Sequence, residues 1–354
     1  MNPISKQHYP IRKEFPGALA LIVGALIVLV SCATPTAPPT GISRAPEHLK
    51  GEVFRSNVYV VYRMVGGETV AQIAEGFLGD AGKAWIIEDA NPAVPLRAGS
   101  LIVVPLRDVN KAGLSPDGYQ TVSILCYHRF AQNCNSQMCT PADVFERQMQ
   151  YLKDNNYRVI SLAEFQQFLQ YNQKLPNRSV IITIDDGYRS TYDIAYQILK
   201  RFGYSATIFI YTDFVEAGRI ALSWDQIREM KDAGIEVGSH TLSHGDLTKK
   251  IKGETNKAYL QRVEKELFDS KRIIDEKLQQ DTIFFAYPYG KSDPVVRSIT
   301  RKAGYQMGLS VKRGGNPFFI DPFNVRRDQV TAKGVDLFVK RLKIFEKEDL
   351  KDSL

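Results

Sequence analysis

Apolar residues recur with two periods along this chain. Short β-branched or aromatic runs at 121–128, 180–184, 206–211, 235–239, 282–286 and 306–311 predict buried strands. Between them, apolar positions three and four apart predict helices near 143–155, 162–173, 191–202, 224–233, 259–278 and 294–303. Strands and helices that alternate in this way predict an α/β fold, with parallel strands and right-handed crossovers. An amphipathic helix at 335–350 closes the pattern and is expected to pack on this domain and not on a membrane. A smaller unit precedes it. Val58-Tyr59-Val60-Val61-Tyr62 reads as a strand, and a helix starts near Thr69 as its cap. Residues 83–90 read as a second helix stopped by Asn91-Pro92, and 101–105 as a returning strand, in β-α-α-β order.

Ionisable groups collect where two of the long domain's strands end. Thr183-Ile184-Asp185-Asp186-Gly187-Tyr188 closes one run, and Ser239-His240-Thr241-Leu242-Ser243-His244 closes another. In parallel β/α architectures, chemistry is done at the C-terminal strand ends. One carboxylate and two imidazoles complete three positions of a divalent-metal site and leave a vacancy, the pattern of a catalytic site. The second carboxylate is then free to act as a base. Adjacent residues on a strand point to opposite faces, so Asp185 and Asp186 reach one centre only if the backbone turns, which Gly187 permits. A solvated Asp-Asp-Gly turn and a His pair at a helix start are the alternative reading.

These two segments, with Phe285-Ala286-Tyr287-Pro288-Tyr289-Gly290, resemble the polysaccharide deacetylases of carbohydrate esterase family 4, the NodB-homology domain. The resemblance spans roughly residues 119–330. It implies a distorted (β/α) barrel that hydrolyses N-acetyl groups of amino sugars. It also implies Asp185 as catalytic base, Asp186, His240 and His244 as metal ligands, and the Tyr289 backbone N–H as oxyanion donor. The small unit, with Gly67-Glu68-Thr69-Val70 and Val104-Pro105, resembles a LysM domain, a family that binds N-acetylglucosamine glycans such as peptidoglycan.

Two positions depart from the deacetylase pattern. Gly308-Leu309-Ser310 stands where the family carries the His of its general acid, and Ala286 stands where many members carry an Arg that orients the base. The chain has five histidines. His8 and His48 lie before the domains and two are assigned to metal, which leaves His128 as acid or substrate contact, or as a structural imidazole. Arg327, with Arg326 as runner-up, is expected to supply the missing charge from another strand.

The N-terminus reads as processing signal. Lys6, Arg12 and Lys13 precede an apolar run at 17–30, short for a bilayer span, that ends in Leu29-Val30-Ser31-Cys32. That tetrapeptide looks like a bacterial lipobox, so 1–31 is expected to be a lipoprotein signal peptide and Cys32 the lipidated residue; an uncleaved membrane anchor is the alternative. Ala33 after the cysteine favours the periplasmic face of the outer membrane. Residues 32–56, Pro/Thr-rich, read as an extended spacer, 57–106 as the LysM unit, 107–118 as a linker and 119–354 as the deacetylase domain.

Composition narrows the function classes. With 354 residues and 44% hydrophobic content the chain can build one large core and one small one. Loss of the signal removes three basic groups and one acidic one from a net charge of +7. The remaining bases are interleaved with acids along helices such as 257–277, and no nucleic-acid motif is present. Cys134 and Cys139 flank a short polar loop, a plausible disulfide in an oxidising envelope, and Cys126 is expected to be an inert core thiol. No Gly-x-Ser-x-Gly elbow and no phosphate loop occur. The expected activity is N-deacetylation of an envelope polysaccharide, peptidoglycan or exopolysaccharide. An O-acetyl esterase and a catalytically silent glycan-binding lipoprotein are the alternatives. Oxygen and nitrogen ligands suit zinc first, with cobalt, nickel or iron also admitted.

Overall fold

The computed structural model describes residues 49–108, 110–115, 118–330, 334–344 and 347–349. The apolar run, Cys32 and most of the spacer lie outside these residues. Among the described residues, no helix is long and apolar enough to cross a membrane.

The N-terminal module is a three-stranded antiparallel sheet with two helices on one face. Its strands β1 (Glu52–Arg55), β2 (Tyr59–Arg63) and β3 (Leu101–Pro105) lie in that order, and α1 (Val70–Leu78) and α2 (Ala84–Ala90) connect β2 to β3. Alternate strand residues Val60, Tyr62, Ile102 and Val104 are buried against Ile73, Ala74 and Ile87, as a half-buried sheet requires. Thr69 caps α1 in a reciprocal capping box with Gln72, and Gly79 ends the helix at φ 70°. Asn91 does more than stop α2. Its side chain donates to the carbonyls of Ile87 (2.7 Å) and Val103 (2.8 Å) and accepts from Val103 N–H (2.8 Å), joining helix end to strand. Strand β1 falls inside the segment read as spacer. Its four residues are exposed or half-exposed, so no alternation of buried positions marks it in the sequence.

The larger domain is a curled parallel sheet. Its strands are β4 (Ser123–Tyr127), β5 (Ser179–Asp186), β6 (Thr207–Ile210), β7 (Glu236–Ser239), β8 (Phe284–Ala286), β9 (Met307–Leu309) and β10 (Asp328–Gln329). They run in the order β9-β8-β7-β6-β5-β4-β10, every pair parallel; an eighth, two-residue strand, Arg158–Val159, also pairs parallel with the start of β5, and a bridge from Leu309 to Val325 spans the open side. The helices are α3 (Ala142–Asp154), α4 (Leu162–Leu169), α5 (Gln197–Phe202), α6 (Trp224–Asp232), α7 (Asn256–Leu278), α8 (Pro294–Lys302) and α9 (Val335–Ile344).

The period of two along β5 sorts its residues between two cores. Val180, Ile182 and Ile184 pack outward with Phe145, Met149 and Leu152 of α3. Ile181 packs inward with Ile124, Phe209, Met307 and Leu309, together with Phe165 and Phe168 of α4. Each such buried side chain contributes about 1.5–3 kcal/mol. Helix α4 sits at the foot of the barrel: Glu236, the first residue of β7, accepts from the N–H groups of Leu162 (2.9 Å) and Ala163 (3.0 Å). The inward series of β5 continues through Thr183 to Asp185, so the polar end of the barrel interior lies opposite that foot.

Several boundaries differ from the sequence expectation. Helix α4 ends at Leu169, and a π-helical turn, Thr191–Tyr196, precedes α5. The C-terminal helix ends at Ile344, short of the expected 350, because Lys347–Asp349 instead pairs antiparallel with Gly118–Gln120. The segment read as linker contains a short strand, Leu114–Ser115, paired with the same partner. Phe338 and Leu342 of α9 are buried in the outer core. A disulfide joins Cys134 to Cys139 in the loop after β4.

Candidate active site

Asp185 is the last inward residue of β5 and is 2% exposed. Arg327, fully buried, holds it with a fork: Nη1 donates to Oδ1 at 2.7 Å and Nη2 to Oδ2 at 2.8 Å. The guanidinium is itself fixed by Ser310 carbonyl (3.0 Å from Nε) and Thr183 hydroxyl (3.1 Å from Nη1), and lies 5.4 Å over the Phe209 ring. Burial pushes the Asp185 carboxyl up, but the charge and paired hydrogen bonds of Arg327 outweigh it and hold it well below the usual carboxylate range. Arg326 turns elsewhere, toward the Gly315 carbonyl.

Asp186 faces a different direction because the chain leaves the strand at this residue. Its φ is 79°, and Gly187 follows at 84° in a spot where a Cβ would stand 3.2 Å from Ile210 Cγ2. The turn therefore begins one residue earlier than the glycine alone indicates. It carries Asp186 Oδ1 to 3.4 Å from His244 Nε2 and 3.7 Å from His240 Nε2. Thr241, His244 and Tyr289 also sit in the left-handed region, at φ 78°, 62° and 59°. Each such non-glycine residue costs on the order of 1–3 kcal/mol, and such strain gathers at functional sites.

The chemistry of this trio fits a divalent cation. Asp186 Oδ1 is buried with no hydrogen-bond partner. His240 Nδ1 lies 2.7 Å from the Ala286 carbonyl, which can only accept, so the proton is on Nδ1 and the Nε2 lone pair points at the cradle. Burial keeps both imidazoles neutral, His240 down at about 3. Burial and the Asp185 charge push the Asp186 carboxyl up to about 7, the mark of an anion that lacks its cation. Asp186, His240 and His244 each offer one ligand atom within 4.8 Å of the others.

Glu266 of α7 holds the histidine loop and is a residue the sequence reading passes over. Its carboxylate accepts from Leu242 N–H (3.0 Å), Ser243 N–H (3.0 Å) and Ser243 hydroxyl (2.6 Å). The signal was present: Glu266 lies within the buried stripe of Val263, Leu267, Ser270 and Ile274, not on the solvated face. Replacing it with Ala is expected to weaken metal affinity about 10- to 100-fold, as loss of outer-shell support does. Competition with a fluorescent chelator measures this, and unchanged affinity would remove Glu266 from the site.

The other expected residues surround the same centre. His128, just past β4, places a ring nitrogen within 4.8 Å of Asp185 and Cys126 ligand atoms, and burial lowers its pKa. Cys126 is buried as expected but not inert to the site, since its Sγ lies 3.4 Å from Asp185 Oδ2. Tyr289, in the Pro288–Gly290 turn after β8, is 57% exposed and sets its ring 4.9 Å from that of His244. Tyr211 flanks the other side at 5.2 Å.

This arrangement has relatives. YxkH of Bacillus subtilis (strain 168), a candidate polysaccharide deacetylase, is 31% identical over 207 residues, which cover 58% of this chain and 70% of that protein. The chain belongs to the polysaccharide deacetylase family. The family description matches residues 172–308, which contain Asp185, Asp186, His240, His244 and Tyr289 but neither His128 nor Arg327. The poly-beta-1,6-N-acetyl-D-glucosamine N-deacetylase of Staphylococcus aureus (strain MRSA252) is 28% identical over 212 residues, 58% of this chain and 72% of that one. Among solved structures, the Streptococcus pyogenes deacetylase PplD in complex with acetate superposes with a TM-score of 0.57 at 26% identity, covering 63% of this chain and 98% of that one. IcaB from Ammonifex degensii gives 0.57 at 26% identity, over 64% and 98%. The deacetylase is thus a hydrolase with an α/β fold, and its catalytic sheet is the curled parallel one.

Proposed function

We propose that the deacetylase removes N-acetyl groups from an N-acetylglucosamine-containing polysaccharide of the bacterial envelope, with a divalent ion, zinc first, held by Asp186, His240 and His244. The observation that carries this reading is the pair of adjacent carboxylates in opposite states: Asp185 locked ionised on Arg327, Asp186 buried and uncompensated beside two neutral imidazoles. The Staphylococcus aureus relative, a poly-beta-1,6-N-acetyl-D-glucosamine N-deacetylase, supports the amino-sugar substrate. An ion in the cradle supplies Lewis acidity, polarising an acetyl carbonyl and acidifying water.

The chain's own residues do the rest. Asp185 accepts a proton from the water that attacks the acetamide carbon. Arg327 positions Asp185 without touching substrate. The Tyr289 backbone N–H donates to the carbonyl oxygen as it gains charge, a contribution of about 10²- to 10³-fold for a good donor. His128, kept neutral by burial, relays the proton from Asp185 to the departing nitrogen, so that amine and acetate leave.

The N-terminal module supports the same setting. Its strand and helix order, with Gly67-Glu68-Thr69-Val70 at the start of α1, supports a LysM unit that binds peptidoglycan. Leu29-Val30-Ser31-Cys32 supports a lipid anchor on Cys32 and residence at the periplasmic face of the outer membrane. Mass spectrometry of products tests the reaction: treated polymer should gain free amines, one per acetate released. Loss of O-acetyl groups with no new amine would instead make it an esterase.

A further inference from the structure

Away from the catalytic residues, the module and the foot of the barrel enclose a cavity of about 650 Å3. One wall is Leu78, Trp85 and Ile86 of the module, and the other is Glu164, Leu175 and Pro176 of the barrel. It is remote from the site described above. The loop that lines it leads into β5 at Ser179, and β5 runs seven residues to Asp186, about 23 Å at the usual rise. The two walls are held in register. Asp89 Oδ2 accepts from Asn177 N–H at 2.8 Å, Asp108 Oδ2 accepts from Lys174 N–H at 2.7 Å, and Arg158 pairs with Glu88.

We propose that this cleft is a second saccharide-binding site, which takes a short stretch of neutral sugars bearing hydroxyl and acetamido groups. Charge excludes an ion as its ligand. Asp80, Asp108 and Glu164 are balanced by Lys83, Arg107 and Lys174 around the rim, so neither a phosphate nor a cation is selected. The lining also excludes a fatty chain, since charged and amide groups, Asn110 and Gln173 among them, interrupt the apolar surface.

A sugar uses both kinds of surface. The half-buried indole of Trp85, with half-buried Ile86 beside it and Lys174 Nζ 5.9 Å from its ring centre, offers an apolar wall to the C–H face of a pyranose. The carboxylates offer acceptors to its hydroxyls. Asp80 spends Oδ1 on Gly82 N–H (2.8 Å), Asp108 spends Oδ2 on Lys174 N–H (2.7 Å) and Glu164 spends Oε2 on Ser161 N–H (2.8 Å), which leaves a second oxygen on each. The volume lies within the roughly 300–1,000 Å3 of small-ligand sites. With one polymer segment gripped at the foot and another at the mouth, the cleft raises effective concentration only for chains long enough to reach both.

The chain has two tryptophans, Trp85 and Trp224, and Trp224 is buried at the start of α6. In the full-length chain with Trp224→Phe, Trp85 alone reports. Titration with tri-N-acetylchitotriose is expected to give a saturable change in its emission, which Ile86→Arg abolishes by filling the cleft. Should Ile86→Arg fail to fold, Gln173→Ala on the surface carries the same test through a several-fold weaker midpoint. Val65→Asp, in the exposed loop after β2 and outside the lining of the cleft, is expected to leave the response intact. Ile86→Arg should also raise KM several-fold on polymer while KM on the trimer and kcat stay unchanged. No saturable response to millimolar trimer overturns the proposal, as does a stronger response to inorganic phosphate or laurate. A response lost in Val65→Asp but kept in Ile86→Arg overturns it too, and assigns binding to the loop after β2. None of these outcomes depends on which residue is the catalytic base.

Discussion

Replacing Arg327 with Met is expected to destabilise the deacetylase by about 3–5 kcal/mol, because it strips the partner from a carboxylate buried at the end of β5. That loss should lower the melting temperature by roughly 10 °C in a domain of this size. The pH dependence should change sign as well. In the native protein, Asp185 has a folded pKa below its unfolded value. Its contribution is therefore present above about 3.9 and is lost as pH falls through the folded value. Without the guanidinium, burial, the largest influence on this carboxyl, meets only the weaker pull of His240 and His128, and the folded pKa rises above the unfolded one. Relative to the native protein, the variant should then gain stability as pH is lowered from neutral into the mildly acidic range, since the other groups that titrate there, Asp186 among them, are common to both. Thermal melts across that range read both effects. A variant that melts like the native protein at every pH would show that the buried fork is not a structural pair.

Asp185→Asn should cut acetate release by about 10²- to 10⁴-fold, the usual share of a general base. Bound metal should be retained, since Asp186, His240 and His244 keep their oxygen and nitrogen donors. Asn keeps the shape and leaves one acceptor for Arg327, so the loss should lie in kcat and not in substrate binding. Comparing kcat with metal content per folded chain separates a lost base from a lost site. Retained kcat would move the base role to another group, and His128 is the neighbour placed to take it.

Much of the site was legible because its chemistry sits at strand ends that hydrophobic periodicity reveals. Asp185, Asp186, His240 and His244 follow β-branched runs directly, and the structure draws all four together. Arg327 was legible only against the family pattern: it precedes a two-residue strand, and no period announces which face an isolated Arg takes. Glu266 was hidden by convention, since a carboxylate in an amphipathic helix is usually solvated, and only its place in the stripe argues otherwise. Cys126 was legible as buried but not as a neighbour of Asp185, because that contact crosses between β4 and β5 at Thr183↔Cys126 register. In the fold, two pairings were missed for different reasons. Strand β1 is exposed or half-exposed, so its sequence carries no alternation, and the three residues Lys347–Asp349 find their partner, Gly118–Gln120, far away along the chain.

The proposed activity needs a base and a separate metal cradle acting on an amino-sugar polymer. The most direct test is acetate release from poly-β-1,6-N-acetylglucosamine and from peptidoglycan by protein loaded with zinc, beside protein stripped by chelator and the Asp186→Ala variant. Acetate from the loaded protein, lost on stripping, restored by added zinc and absent in Asp186→Ala, is the predicted result. Equal acetate from all three, or none from loaded protein that binds one ion per chain, would contradict it.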